Sequence, residues 1–426
     1  MISDTSWEKK KLKDLCLKIG SGATPSGGKE NYKTSGISLI RSQNIYNHTF
    51  LSNGLAYIDD EQAKKLNNVD VQQDDVLLNI TGDSVCRCCI VPNEILPARV
   101  NQHVAIIRAD QLKLNPFFLK SYLTNELMQN YMYSLAQTGG TRAALTKGMI
   151  EEFELPVPEL KEQARISNTL WLLDKKIQLN NAISKNLEEM AQALFKRWFV
   201  DFDFSNENGE PYKSSGGEFE ESELGSIPKG WSYEKIESIA VFKNGKGINR
   251  EKRDDIGKYK IMGSNGLIGF TNNILYNKPV IIIGRVGANY GEIHYLLEPC
   301  WVSDNAIISQ PIFEEDFWFL LNILLGVDYS NFVAGSAQPL ITQTAIRSVT
   351  TILPTREILH QFSLVVEDMY LALENKKIEN ETLSKLRDTL LPKLMSGEIR
   401  VPVEPEYTQA FDLPMVAESS EKYNAH

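Results

Sequence analysis

The chain has 426 residues, 42% of them hydrophobic, with 23% charged and a formal net charge of −10. Such a length and apolar content suit two or three folded domains, and exclude a disulfide-stapled miniprotein and a disordered chain. The longest apolar run, residues 317–327, contains Asn322 and is too short for a membrane span, and residues 1–14 lack the apolar core of a secretory signal. Five cysteines, an odd number, with Cys86, Cys88 and Cys89 crowded together, predict a reducing compartment, the cytoplasm.

Charge is unevenly placed. Lys plus Arg minus Asp plus Glu is +3 over residues 1–150, −7 over 151–230, −1 over 231–350 and −5 over 351–426. The two nearly balanced segments leave nucleic-acid binding open, although overall acidity argues mildly against a polyanion partner.

The chain opens on Trp7, Leu12 and Leu15, ahead of a loop at Gly20-Ser21-Gly22. Short apolar runs at residues 76–80 and 104–107, bounded by Gly, Asn and Pro, predict buried strands, and residues 117–133 predict a helix. From Pro158 onward the pattern becomes a long helix with an apolar stripe in 4,3 spacing: Ile166, Leu170, Leu173, Ile177, Asn180, Ser184, Leu187, Ala191, Leu194, Trp198. Residues 203–230, rich in Ser, Gly, Glu and Pro, read as a linker.

The same plan then starts again. Trp231, Ile236 and Ile239 stand 224 residues after their counterparts, ahead of Gly245-Lys246-Gly247. By sequence, residues 78–82 match 280–284, and Asn101-Gln102-His103 match Ser303-Asp304-Asn305, both at an offset of 202. Gly140-Thr141 with Leu145 recurs as Gly335-Ser336 with Leu340, and Pro158 as Pro354 at an offset of 196. The second stripe is Phe362, Val366, Met369, Leu373, Lys376, Asn380, Leu383, Arg387, Leu390, Leu394. A seam of four heptads predicts a coiled coil, polar at its centre in both copies; packing of the two helices on each other and a solvated or partner-contacting surface both remain open, as does their orientation. The tail after Arg400 predicts disorder.

Catalytic patterns are scarce. The Gly22 loop lacks the Gly-x4-Gly-Lys-Ser/Thr arrangement that cradles phosphates, with Ala23 at the first glycine and Glu30 at the hydroxyl. The three crowded cysteines have no second ligand pair at zinc spacing and read as structural thiols. His103 faces Asn305 in the repeat, so a hydrogen-bonding role fits both copies better than general-base work. Asn115-Pro116-Phe117-Phe118 lacks the second proline of a base-gripping methyltransferase motif; with Asp316-Phe317-Trp318-Phe319 it reads as a helix start capped by Asn115 or Asp316.

Two diverged segments, each followed by a long helix, together with Gly22-Ala23-Thr24-Pro25-Ser26, Leu155-Pro156-Val157-Pro158 with Glu162-Gln163 and Ile166, and Leu391-Pro392-Lys393-Leu394-Met395-Ser396-Gly397-Glu398-Ile399, resemble the DNA-specificity subunit of a type I restriction-modification system. The likeness covers about residues 7–401. One departure is Arg356-Glu357-Ile358 with His360 where the family usually shows a Glu-Gln pair.

The resemblance implies an α+β chain with two mixed target-recognition domains, residues 1–157 and 231–353, each followed by a long helix, 158–202 and 354–400, the helices packing as an antiparallel coiled coil. It implies no cofactor and no catalysis in this chain: S-adenosylmethionine belongs to two modification subunits, ATP and magnesium to restriction subunits, and the shared ligand is double-stranded DNA with a bipartite site. About 50 Å of helix would match roughly fourteen base pairs, so two modules could read half-sites on successive turns. Expected readers are Arg41, Ser42, Gln43, Asn44, Thr81, Arg87, Gln102 and Arg142 in the first copy, and Lys246, Asn249, Arg250, Asn265, Arg285, Asn289 and Gln338 in the second, chosen as donors and acceptors suited to base edges. The rival classes are a protein scaffold without DNA and a self-contained DNA methyltransferase.

Overall fold

A computed structural model describes residues 7–25, 28, 32–138, 143–223, 225–287, 290–334 and 340–402. The chain forms two compact units, residues 1–179 with 379–426, and residues 180–378. Neither unit is a simple half of the sequence, because each takes part of both long helices.

In the first unit, Lys9–Lys11 pairs antiparallel with Glu154–Pro156, tying the start of the mixed segment to its end just before the helix begins. An antiparallel sheet follows in the order Cys16–Ser21, Val104–Ala109, Val76–Asn79, Cys88–Ile90. A second sheet runs Ala56–Ile58, Ile37–Ile40, Ala98–Val100, Asp70–Val71, with Ala98–Val100 parallel to Ile37–Ile40. Successive strand residues face opposite sides. Val76 and Leu78 therefore enter a core with Leu12, Leu15 and Phe118, while Leu77 enters a separate core with Leu39 and Ile58. Burial on both faces is why this strand is apolar without alternation.

The second unit repeats the design. Ser232–Lys235 pairs with Thr350–Leu353, and the antiparallel sheet runs Ala240–Asn244, Ala306–Pro311, Val280–Gly284, Ile293–Leu296. Its other sheet has Gly266–Thr271, Tyr259–Gly263 and Cys300–Val302, again with one parallel pair. The helix Asp60–Lys65, the edge strand Asp70–Val71 and the helix Glu126–Gln137 have no counterpart among the second unit's described elements, and account for much of the first copy's surplus length.

Hydrogen-bond register corrects the sequence alignment of the repeats. Val104 faces Asn79 as Ala306 faces Gly284, and the amide of Ile80 donates to His103 O as that of Arg285 donates to Asn305 O. Strand Val76–Asn79 thus occupies the place of residues 281–284 at an offset of 205, and Gly82 corresponds to Gly287, not Gly284. Both glycines have positive φ, 78° and 79°. A uniform apolar strand offers no internal mark of register, so three residues of slip are invisible in sequence. At the first strand, Leu17 forms a bulge between Cys16 and Lys18 and is 70% exposed, which shifts the offset from 224 to 223 and aligns Gly22 with Gly245.

Leu160–Phe199 and Arg356–Ser396 are the long helices. Every seam position named above is buried or half-buried. Within the first unit, Glu162 pairs with Arg400, Asp174 with Arg387 at 3.1 Å and Lys176 with Glu379 at 3.2 Å. Partner numbers fall as helix numbers rise, so these segments run antiparallel. In the second unit Phe195, Trp198 and Phe199 surround Phe362, centroids 4.9–5.9 Å away.

Residues 203–230 are not a free tether. Phe204, 4% exposed, stacks between Tyr212 and Trp231, and the hairpin Phe219–Ser222 with Gly225–Pro228 packs Ile227 into the second unit's core. Isolated aromatic residues among Ser, Gly and Glu carry no periodic signal, which hid this packing from the sequence. Most of the tail, residues 403–426, lies outside the described residues.

Candidate nucleic-acid interface

Each unit gathers polar loops at one end of its antiparallel sheet. In the first, the hairpin joining Val76–Asn79 to Cys88–Ile90 turns through Gly82 and through Cys86, whose φ is 73°. A cleft of about 600 Å³ opens there, lined by Ser42, Gln43, Tyr46, Thr81, Asp83, Ser84, Arg87 and His103. The Arg87 guanidinium lies 4.5 Å from the Tyr46 ring centre, a cation–π contact that orients its donors. Thr81 Oγ1 and His103 Nδ1 are 2.6 Å apart, and Gln102 Nε2 lies 3.3 Å from His103 Nε2.

Four expected readers, Ser42, Gln43, Thr81 and Arg87, line this cleft, and Gln102 stands exposed beside it. Two others do not face it freely. Asn44 is fully buried; its Oδ1 accepts from the Arg41 amide and its Nδ2 donates to Leu51 O, so its amide is committed to shaping the loop. Arg41 Nη2 donates to Gly54 O at 2.5 Å, with its guanidinium over Tyr32, so the group is held against its own loop, while Nε is buried with no partner among the described residues. Arg142 lies outside the described residues.

Sequence reading missed Asn79. Fully buried at the end of an apolar strand, it donates from Nδ2 to Ser42 O at 2.9 Å and to Ser84 Oγ at 3.1 Å, clamping two walls of the cleft together. A lone amide closing a Val-Leu-Leu run was the available signal. Tyr46, Asp83 and Ser84 were missed too, being ordinary loop residues until the hairpin brings them together.

In the second unit the hub is residues 302–305. The Lys246 amide donates to Val302 O, and Lys246 O accepts from Trp301 Nε1 at 2.7 Å. Arg285 Nη1 reaches Asp304 O at 3.4 Å, and Asn305 Oδ1 accepts from the Ser264 amide, placing exposed Asn265 at the adjoining turn. Lys246, Asn265 and Arg285 thus converge. Asn249 and Arg250 do not: the turn Arg250–Lys252 is tied through Lys252 O to Thr271 Oγ1, at the far end of the hairpin from Asn265. Asn289 and Gln338 lie outside the described residues.

Close backbone approach fixes both hubs. A Cβ on Gly22 would collide with the carbonyl oxygens of Val100 and Asn101, and one on Gly245 with those of Val302 and Ser303. These glycines let the first strand's exit lie directly on the loop that carries His103 or Asn305.

The repeated scaffold carries different chemistry at matching positions. Register pairs Gln43 with Asn265, Ile80 with Arg285, Thr81 with Val286, Arg87 with Glu292 and His103 with Asn305. The hydrogen-bonding role expected at His103 and Asn305 is present in both.

The remaining chemical candidates resolve structurally. Burial raises the Cys86 and Cys88 thiols to about 12, so they stay protonated at neutral pH; Cys88 and Cys89 point into different cores. Among the described residues no group of three or more His, Cys, Asp or Glu is placed to hold a metal. Asn115 Oδ1 caps the helix Pro116–Leu123 by accepting from the Phe117 and Phe118 amides, as the helix-start reading expects. Asp316 does not cap; its carboxylate binds Arg356 at 2.6 Å. In the first unit Gln163 holds the Asn115 amide from the helix start, whereas in the second Arg356 holds Asp316.

A family model described as the type I restriction modification DNA specificity domain matches residues 5–189 and 228–382. The chain is 26% identical over 435 residues to the type I restriction enzyme MjaIX specificity subunit of Methanocaldococcus jannaschii, covering 93% of this chain and 94% of that protein. It is 23% identical to the type I restriction enzyme HindI specificity subunit of Haemophilus influenzae, covering 85% and 94%. The crystal structure of a type I restriction-modification S subunit from M. genitalium aligns with a TM-score of 0.58 at 17% identity, covering 95% of this chain and 99% of that one, a likeness of fold.

Proposed function

Because the chain belongs to the type I restriction modification DNA specificity family, we propose that it reads a bipartite duplex site, one unit for each half, within a complex whose catalysis is carried by other subunits. The observation that carries this reading is the twice-built loop scaffold with unlike side chains at matching positions. A shared frame presents the loops to DNA in the same way, and different donors and acceptors select different base edges. A scaffold binding one protein twice would have less reason to diverge at those positions.

The long helices serve as an antiparallel coiled coil and as the docking surface for two modification subunits. In support, their exposed faces carry Trp171, Leu172, Leu179, Leu364, Val365 and Leu371, apolar side chains that a partner subunit could cover. S-adenosylmethionine binds the modification subunits, and ATP with magnesium the restriction subunits. The setting is the cytoplasm; among the described residues no helix is long and apolar enough to cross a membrane.

Co-expression with a modification subunit, followed by sequencing of genomic methylation, tests the reading. The expected result is a bipartite motif with adenine methylated in each half. A stable complex without new methylation would favour the scaffold, and methylation by this chain alone would favour a self-contained enzyme. In the same assay Arg87→Ala should relax one half-site and Arg285→Ala the other, each by about 1–3 kcal/mol of discrimination. Equal loss at both halves in either variant contradicts one unit per half-site.

A further inference from the structure

The second unit covers its opening tryptophan with its own chain, whereas the described residues of the first unit leave Trp7 half-buried. Trp231 is 5% exposed, with Phe204 stacked at 4.9 Å and Phe202 edge-on at 5.9 Å. The repeat puts Trp7 at the place of Trp231 and Arg400 at that of Phe204. Arg400 lies 4.7 Å over the Trp7 ring, yet Trp7 stays half-buried. The residues that would match the covering segment 207–230 are 403–426.

Beside Trp7 lies a groove of about 610 Å³, lined by Lys9, Lys11, Leu127, Tyr131, Pro392 and Met395 among others. Leu127 is 75% exposed and Tyr131 50%. Lys11 is held by Glu152 at 2.5 Å, while Lys9 has no polar partner among the described residues. At the matching place in the second unit, Tyr233 and Lys235 face the acidic hairpin residues Glu220, Glu221 and Glu223.

We propose that this groove is the seat of the chain's own residues 403–426. The chemistry fits: that segment has five acidic residues and one lysine, with Tyr407, Phe411, Leu413 and Met415 interspersed. Apolar side chains take the Leu127 and Tyr131 surface and a carboxylate meets Lys9, since Glu152, which lines the groove with Glu154, already holds Lys11. The path fits as well, since Val401 packs against the first unit's core and Ser396 lines the groove. Ten extended residues reach about 33 Å, more than enough to enter it.

Hydrogen exchange on the full chain, on a chain ended after Pro402 and on Phe411→Ala tests the proposal. Amides of Lys9–Lys11 and Glu126–Gln137 should exchange on the order of tenfold faster in both variants, with those of Phe317–Leu325 unchanged as a control for folding. A carbodiimide should join Lys9 to a carboxylate of residues 404–421 within a single chain. Unchanged exchange at the groove overturns the proposal. So do cross-links found only between isotopically distinct chains, which would make the occupant a second copy.

Discussion

Asp174→Ala should destabilise the first unit by about 3–5 kcal/mol, because it strips the counter-ion from a buried cluster. Asp174 is 7% exposed and sits 2.7 Å from Lys120 Nζ, 3.1 Å from Arg387 Nη1 and 3.5 Å from His48 Nδ1. Burial alone would raise its carboxyl, but His48 and Lys120 outweigh it and hold the group well below the usual carboxylate range. Native-state hydrogen exchange of Pro116–Leu123 would read the loss; Asp174→Asn, which keeps an acceptor, should lose less. The matching residue in the second unit is Tyr370, stacked on Trp318 at 4.3 Å, so the same joint is ionic in one copy and aromatic in the other.

The cluster also predicts acid sensitivity. Burial lowers the His48 pKa; Asp174 opposes this, while Lys120 and Arg387 reinforce it. An imidazole depressed on folding is protonated first in the unfolded chain, so stability of the first unit should fall as pH drops below about 6.5. The Asp174 contribution, present above its unfolded value of about 3.9, is lost only at still lower pH. Denaturation midpoints between pH 5 and 8 should therefore slope in the wild type and flatten in His48→Gln; equal slopes would remove His48 as the cause.

The second large effect should come from Gly245→Ala, at about 2–3 kcal/mol. The added carbon meets two backbone carbonyls, of Val302 and Ser303, which cannot move without disturbing the parallel pair Tyr259–Gly263 with Cys300–Val302. Gly22→Ala should behave alike in the first unit. Gly20→Ala, where nothing lies within 4 Å, is the control and should be near neutral. Thermal melts of the three variants check this, and half-site recognition should weaken with the first two, because the same glycines seat the loops that carry His103 and Asn305.

The sequence by itself determined the two-copy plan, the two long helices and the positions of their apolar stripes, the helix start at Asn115 and the region of the polar loops. These depend on local order: helical period, capping chemistry and a Trp-to-Gly pattern that recurs at nearly constant offset. Tertiary structure decided the rest. The offset of 205 at residues 76–79 is set by hydrogen bonds to Val104–Ala109, and an all-apolar strand has no pattern to reveal a slip. Helix direction within the first unit rests on pairs such as Asp174 with Arg387, more than two hundred residues apart. Asn44 and Arg41 looked like readers beside Ser42 and Gln43, and only the folded loop turns their polar groups onto its own backbone. Residues 203–230 gain their order from Trp231 and from one another, through ring contacts that no spacing rule encodes. Local periodicity is written in neighbouring residues, whereas register, facing and packing are chosen by distant partners that meet only when the chain folds.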